Sequence, residues 1–170
     1  MLLTLTTRFA CPAERCFDEV QTPRLLMHIA KPLVHFTPVD PPRLPDRWEP
    51  RDYLVAMHLL GFLPLGRQMV RISGQDHSER DGCFSVELRD NGSGTLVSHW
   101  DHRIFIRATA QGCEYTDQVD IRAGLLTPVV WLFAWGFYAH RQRRWHQLVQ
   151  RNFSYACLLY TSDAADERSS

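Results

Sequence analysis

The sequence carries no excess of one charge. Nineteen Lys and Arg stand against nineteen Asp and Glu, for a formal net charge of zero. Nothing global therefore marks a nucleic-acid binder, and no nucleic-acid partner is expected. Long hydrophobic runs are missing too. The longest uncharged apolar stretch, Gly124–Ala139, has sixteen residues including a helix cap. A spanning helix needs about 20. The opening "MLLTLTTRF" has neither a basic start nor a long apolar run. No secretory signal is expected from it, and a cytoplasmic location is. There is no GxSxG, so a nucleophile elbow is excluded. The one Gly-rich stretch, "DNGSG" at Asp90–Gly94, reads as a hairpin turn between strands rather than a phosphate cradle. No internal repeat or low-complexity tract appears.

Cysteine is present but unpatterned. Cys11, Cys16, Cys83 and Cys113 fit no CxxC spacing. They read as reduced, mostly buried thiols, and no metal site or cofactor is expected. The fifth, Cys157, opens "CLLYTSDAADE", which resembles the translated read-through of a transposon-type sequencing adapter. Residues 1–156 are accordingly expected to form the domain, and 157–170 a non-native tail. Removing that tail subtracts one basic and three acidic residues, leaving 18 against 16 and a net charge of +2.

What remains has clear periodicity. "LLTLTTRF" alternates as a strand. "CPAERCFDEV" and "RLLMHIA" read as two short helices separated by Pro23. "PLVHFTPVD" is a strand, and "PPRLPDRW" a proline-rich loop. Strands follow at "YLVAMHLLGFLPLG", which breaks at Gly61–Gly66, then at "RQMVRISG", "GCFSVELRD", "TLVSHWDHRIFIR" and "CEYTDQVDIR". The last two are joined by a short turn at Ala108–Gly112. A long helix ends the order β-α-α-β-β-β-β-β-β-α. Strands in series with helices segregated at the ends mean an α+β fold on an antiparallel sheet.

Thr127 suits the N-cap of that last helix and Pro128 its first turn. Helical spacing gathers Val130, Trp131, Ala134, Phe137, Tyr138, Arg141, Trp145, Leu148 and Val149 on one stripe, expected to cover the concave face of the sheet. Arg143, Arg144, His146 and Gln150 fall opposite. Nearer the N-terminus the outer side carries Leu132, Phe133 and Trp135, more apolar than solvent requires. A loop, a lipid surface or a second copy of the chain would cover it.

Strand alternation selects candidate functional residues. Ser98, Trp100, His102, Ile104 and Ile106 share an inward face, as do Cys113, Tyr115, Asp117, Val119 and Ile121. The short turn brings His102 near Asp117. A carboxylate there raises the imidazole pKa and fixes its orientation. The two are either a proton-transfer pair or a satisfied buried polar pair. His99 and Asp101 fall on the outward, solvated face, so "HWDH" cannot hold one metal ion between His99 and His102. His58 lies in a strand apolar on both faces, and its side is open. Trp48 and Tyr53 flank the proline-rich loop and either gate a cavity or plug the core. Arg141, the one charge on the inner stripe, meets Asp117, meets a ligand carboxylate, or snorkels to the edge.

A curved sheet gripping one long C-terminal helix, with two short helices after the first strand, is the helix-grip arrangement. "CPAERCFDEVQTPRLLMHI" resembles the opening of the START-related superfamily, which contains polyketide cyclases, lipid-transfer domains and pollen allergens. "YTDQVDIRAGLLTPVVWLFAWGFYAHRQRRWHQLV" is similar to bacterial members without an assigned role. The resemblance spans about Leu3 to Asn152. It implies the fold more firmly than an activity, because the superfamily's ligands range widely and its catalytic residues are not shared. It implies a hydrophobic small molecule held between sheet and helix, with Trp48, Trp100, His102, Ile104, Tyr115, Asp117, Trp131, Phe137, Tyr138 and Arg141 around it. An alternative is a cyclase or aromatase moving protons with His102 and Asp117. Another is a filled core acting through the Leu132–Trp135 surface on a partner.

Overall fold

The computed structural model describes residues 1–80 and 83–155, with side chains described for 1–73 and 84–155. The expected tail at 157–170 and the Cys83 thiol lie outside the described residues. The elements are β1 (Leu2–Phe9), α1 (Ala13–Val20), α2 (Pro23–Ala30), β2 (Val34–Asp40), β3 (Asp52–Leu59), β4 (Leu63–Arg80), β5 (Cys83–Gly94), β6 (His99–Thr109), β7 (Gly112–Arg122) and α3 (Thr127–Gln150). The seven strands form one antiparallel sheet in the order β1-β7-β6-β5-β4-β3-β2. The fold is α+β, a curved sheet with a long C-terminal helix, as the residue pattern led us to expect.

Local chemistry explains the element ends. Thr22 caps α2 by accepting a hydrogen bond from the Leu25 N–H at 3.2 Å, with Pro23 beginning the helix. Gly61 has φ +84° in the tight β3–β4 turn, a conformation that glycine adopts without steric cost. Strand β7 alternates strictly, burying Cys113, Tyr115, Asp117, Val119 and Ile121 and leaving their neighbours partly exposed.

Two expectations about ends need correction. Thr127 does not cap α3: Leu126 holds that position, and the Thr127 hydroxyl accepts from the Ala123 N–H and donates to the Gly124 carbonyl. It braces the preceding loop instead. Likewise "DNGSG" is not a turn. It lies inside β5, where Gly92 pairs with Trp100 of β6 and Gly94 with Gln68 of β4. A Cβ on Gly92 would sit 2.0 Å from the Met69 carbonyl, and one on Gly94 2.5 Å from Gln68 Oε1. The glycines are there for close approach across the ladder, and the chain turns later, around Thr95–Val97.

Helix α3 buries Ala134, Phe137, Tyr138, Arg141, Gln142, Trp145 and Leu148. Two apolar clusters result. One joins Phe9, Ile29, Tyr115, Trp145 and Leu148, and the other joins Leu3, Val34, Val119, Phe137 and Tyr138. Along β7, Asp117 falls between Tyr115 of the first cluster and Val119 of the second. Along α3, Arg141 and Gln142 fall between Tyr138 and Trp145. Asp117 and Arg141 therefore occupy the seam between the two apolar clusters.

Candidate functional site

A cavity of about 270 Å³ lies between the sheet and α3. Its wall is mostly apolar: Leu25, Phe36, Met57, Leu65, Val70, Ile72, Leu88, Val97, Ile104, Val130 and Phe137 all contribute. The polar residues of the lining include Gln68, Asp90, His102, Tyr138 and Arg141. An apolar wall with sparse polar groups is the usual make-up of a small-molecule site. Leu96 and Phe133 line the cavity and are also exposed, so they mark its mouth.

His102 and Asp117 are in contact. His102 Nε2 lies 2.8 Å from Asp117 Oδ1. Tyr115 donates its hydroxyl hydrogen to the same oxygen at 2.6 Å, and Gln142 Nε2 donates to Oδ2 at 3.0 Å. The same Gln142 nitrogen reaches the Leu5 carbonyl at 3.1 Å, tying α3 to β1. Burial alone would raise the Asp117 carboxyl. His102, the nearby Arg141 cation and Tyr115 outweigh it and hold the carboxyl below the ordinary carboxylate value. A carboxylate only accepts, so His102 Nε2 carries the proton and Nδ1 keeps a lone pair. Burial pushes the imidazole pKa down, against the support of Asp117. The raised value expected from the neighbouring carboxylate is thus not found, because desolvation favours the neutral ring by more than the pairing opposes it.

Arg141 is 7% exposed and does not snorkel. Its guanidinium lies over the Tyr138 ring at 4.8 Å. Burial disfavours its charge, but the nearby Asp117 carboxylate opposes that, and the guanidinium stays protonated. Asp90 is half-buried and accepts a 2.7 Å hydrogen bond from the Arg71 N–H. Desolvation pushes its carboxyl up to about 7.

Of the residues singled out from the sequence, Trp48, Trp100, His102, Ile104, Phe137, Tyr138 and Arg141 line the cavity. Tyr115, Asp117 and Trp131 do not. Tyr115 is packed against Phe9 and Trp145, and Asp117 stands behind His102. Trp131 donates its indole N–H to the Leu2 carbonyl at 3.1 Å. Tyr53 is fully buried, and its hydroxyl is bonded to the Glu49 backbone, so it plugs the core while Trp48 lines the cavity. Phe133, placed on the outer side by helical spacing, stacks on Phe137 and reaches the cavity mouth. His58 has the opposite strand parity to Met57, which faces the cavity. Asp101 is not solvated; Arg89 holds it through two bonds of 2.8 and 3.0 Å.

Sequence reading missed Gln68, Asp90 and Gln142. The signal for Asp90 is its even spacing from Leu88, which the turn-like composition of "DNGSG" obscures. Among the described residues no cluster of ligating side chains could hold a metal ion, and no helix is long and apolar enough to cross a membrane.

No family model and no curated protein matches the chain. Solved structures do. Protein CV1439 from Chromobacterium violaceum superposes with a TM-score of 0.65 at 11% identity, over 88% of this chain and 98% of that one. A START superfamily protein from Mycobacterium smegmatis gives 0.60 at 14% identity, over 89% and 98%. The Zhui aromatase/cyclase from Streptomyces sp. R1128 gives 0.57 at 11% identity, over 91% and 96%. At such identities the likeness concerns architecture, and the conclusion it supports is that this chain has the START-type (SRPBCC) helix-grip fold.

Proposed function

We propose that the protein binds a hydrophobic small molecule, lipid-like or polyketide-like, in the cavity between the sheet and α3. The observation that carries this reading is the cavity itself: about 270 Å³, walled mostly by apolar side chains. A domain that worked only through its outer surface would gain stability by filling that space. Native mass spectrometry of the protein purified from cells tests the reading. A co-purifying small molecule, lost when Val70→Phe projects a ring into the cavity, supports it. An empty wild-type protein that also takes up no apolar probe refutes it.

The mouth suggests how such a ligand arrives. Besides Leu96 and Phe133, Leu63 of β4, Leu126 before α3, and Val129, Leu132 and Trp135 of α3 are exposed. An apolar rim around an apolar cavity suits exchange with a lipid surface; self-association through the same residues is the competing use.

A second reading, cyclase or aromatase chemistry, is favoured by one observation. His102 lines the cavity with its tautomer fixed by Asp117 at 2.8 Å. A neutral imidazole so held can take a proton at Nδ1 from an enolisable ligand. Here Asp117 is a positioning residue. Loss of turnover with retained binding in His102→Gln would select this reading, and loss of neither would remove it.

A further inference from the structure

Two buried donors in the cavity wall have no acceptor among the described residues. They are Arg141 Nε–H and the Gln68 Nε2 amide, on residues 7% and 8% exposed. An unsatisfied buried N–H is costly, more so on a cation. Arg141 also lacks a carboxylate at ion-pair distance among the described residues, whereas His102 has Asp117 at 2.8 Å. Asp117 is near enough to support the Arg141 charge, but its hydrogen bonds go to His102, Tyr115 and Gln142 and none to Arg141. Both Arg141 and Gln68 line the same cavity.

Their positions differ along it. Arg141 is near Asp90, whose register partners are Ile72 and His102. Gln68 lies four residues from Ile72 along β4, about 13 Å of strand. It pairs with Gly94, beside the turn that carries Leu96 at the mouth. Glycine at 92 and 94 leaves room for its amide.

We propose that the cavity takes an amphipathic acid, with its carboxylate or enolate oxygen on Arg141 deep in the cavity and a second oxygen on the Gln68 amide nearer the mouth. This deepens the ligand-binding reading and rests on it. The apolar wall between the two donors holds the body. Asp90 does not forbid an anion there. Around it stand the Arg71 N–H, Arg89, Arg141, His102 and Asp101, and desolvation leaves its carboxyl protonated up to about 7, able to donate rather than repel.

The test is calorimetric titration at neutral pH with matched probes: decanoate against 1-decanol, and 2-naphthoate against 2-naphthylmethanol. In the wild type the acid should bind about tenfold more tightly than its alcohol, as a charge-assisted bond to a buried cation requires. Arg141→Met should bring that ratio close to one. Arg141→Lys keeps the charge but not the fork, and should lower the ratio while leaving the acid preferred. It serves if the Met variant fails to fold. An ω-hydroxylated decanoate should bind several-fold more tightly than decanoate, and Gln68→Leu should remove that gain. Acid and alcohol binding equally in the wild type would overturn the head-group assignment and leave the cavity reading standing. So would a ratio unchanged in both Arg141 variants. Absence of the hydroxyl preference in the wild type would overturn the second contact. If neither member of either pair binds, the cavity reading falls as well.

Discussion

An ionised carboxylate at Asp117 persists in the interior because three donors converge on it. Removing the acceptor leaves those donors buried and unpaired. Asp117→Ala should therefore cost about 3–5 kcal/mol in urea unfolding at neutral pH. A loss no larger than that of an exposed substitution would mean that the carboxylate does not organise the seam. Its pKa is lowered in the native state, so its contribution is full above the unfolded carboxylate value and disappears as pH falls through the lower native one. His102 is lowered as well, so the unfolded chain binds a proton before the native one does. Its part is lost as pH falls below about 6.5. Asp90 has the opposite sign. Raised to about 7, it keeps its proton in the native state after the unfolded chain has released it, so stability declines as pH rises through that window. Asp90→Asn keeps an acceptor for the Arg71 N–H and removes the ionisation. Calorimetric melting should find it more stable than wild type at pH 8, on the order of 1 kcal/mol after solvent screening, and no more stable at pH 4. Equal gains at both would assign the effect to packing.

Strands differ in how plainly their residues declare them. β7 is legible because its sheet face is buried and its reverse partly solvated, so alternation shows in the residue types, and with it the His102–Asp117 contact. α3 is less so. Its stripe is apolar almost all round in the first half, which hid the turn of Phe133 into the cavity mouth, and Gln142 reads as polar surface although it joins Asp117 to β1. β5 misleads, because "DNGSG" has the composition of a hairpin while its glycines serve close backbone approach. That distinction depends on Met69 and Gln68 of another strand, which no local pattern contains. Gly92→Ala tests the point. A surface-turn glycine tolerates alanine cheaply when its φ is negative, whereas a Cβ 2.0 Å from the Met69 carbonyl forces the β4–β5 ladder apart. The expected cost is about 1–3 kcal/mol, measured as a fall in the denaturation midpoint. No fall would put the glycine back in a turn.

Among the described residues, most of the exposed apolar side chains lie at one end of the sheet. The antiparallel order brings the β3–β4 turn, the β5–β6 turn, the β7–α3 loop and the start of β1 together there. Leu60, Phe62, Leu63, Leu96, Leu125 and Leu126 are exposed on these segments, Leu125 wholly so, and Val129 is exposed in the first turn of α3. The cavity mouth at Leu96 and Phe133 opens among them. Each such side chain buried in a lipid interface contributes roughly 1.5–3 kcal/mol, so two or three suffice for reversible attachment. If this end docks on lipid to exchange ligand, co-sedimentation with neutral phosphatidylcholine vesicles should be measurable. It should resist high salt, because the contact is apolar, and Phe62→Asp with Leu125→Asp should abolish it without lowering the melting temperature. Salt-resistant self-association in analytical ultracentrifugation, lost in the same double variant and unaccompanied by vesicle binding, would assign the surface to a second copy instead. A monomer that ignores vesicles would show that the rim is not a docking surface, and ligand would have to reach Arg141 from free solution.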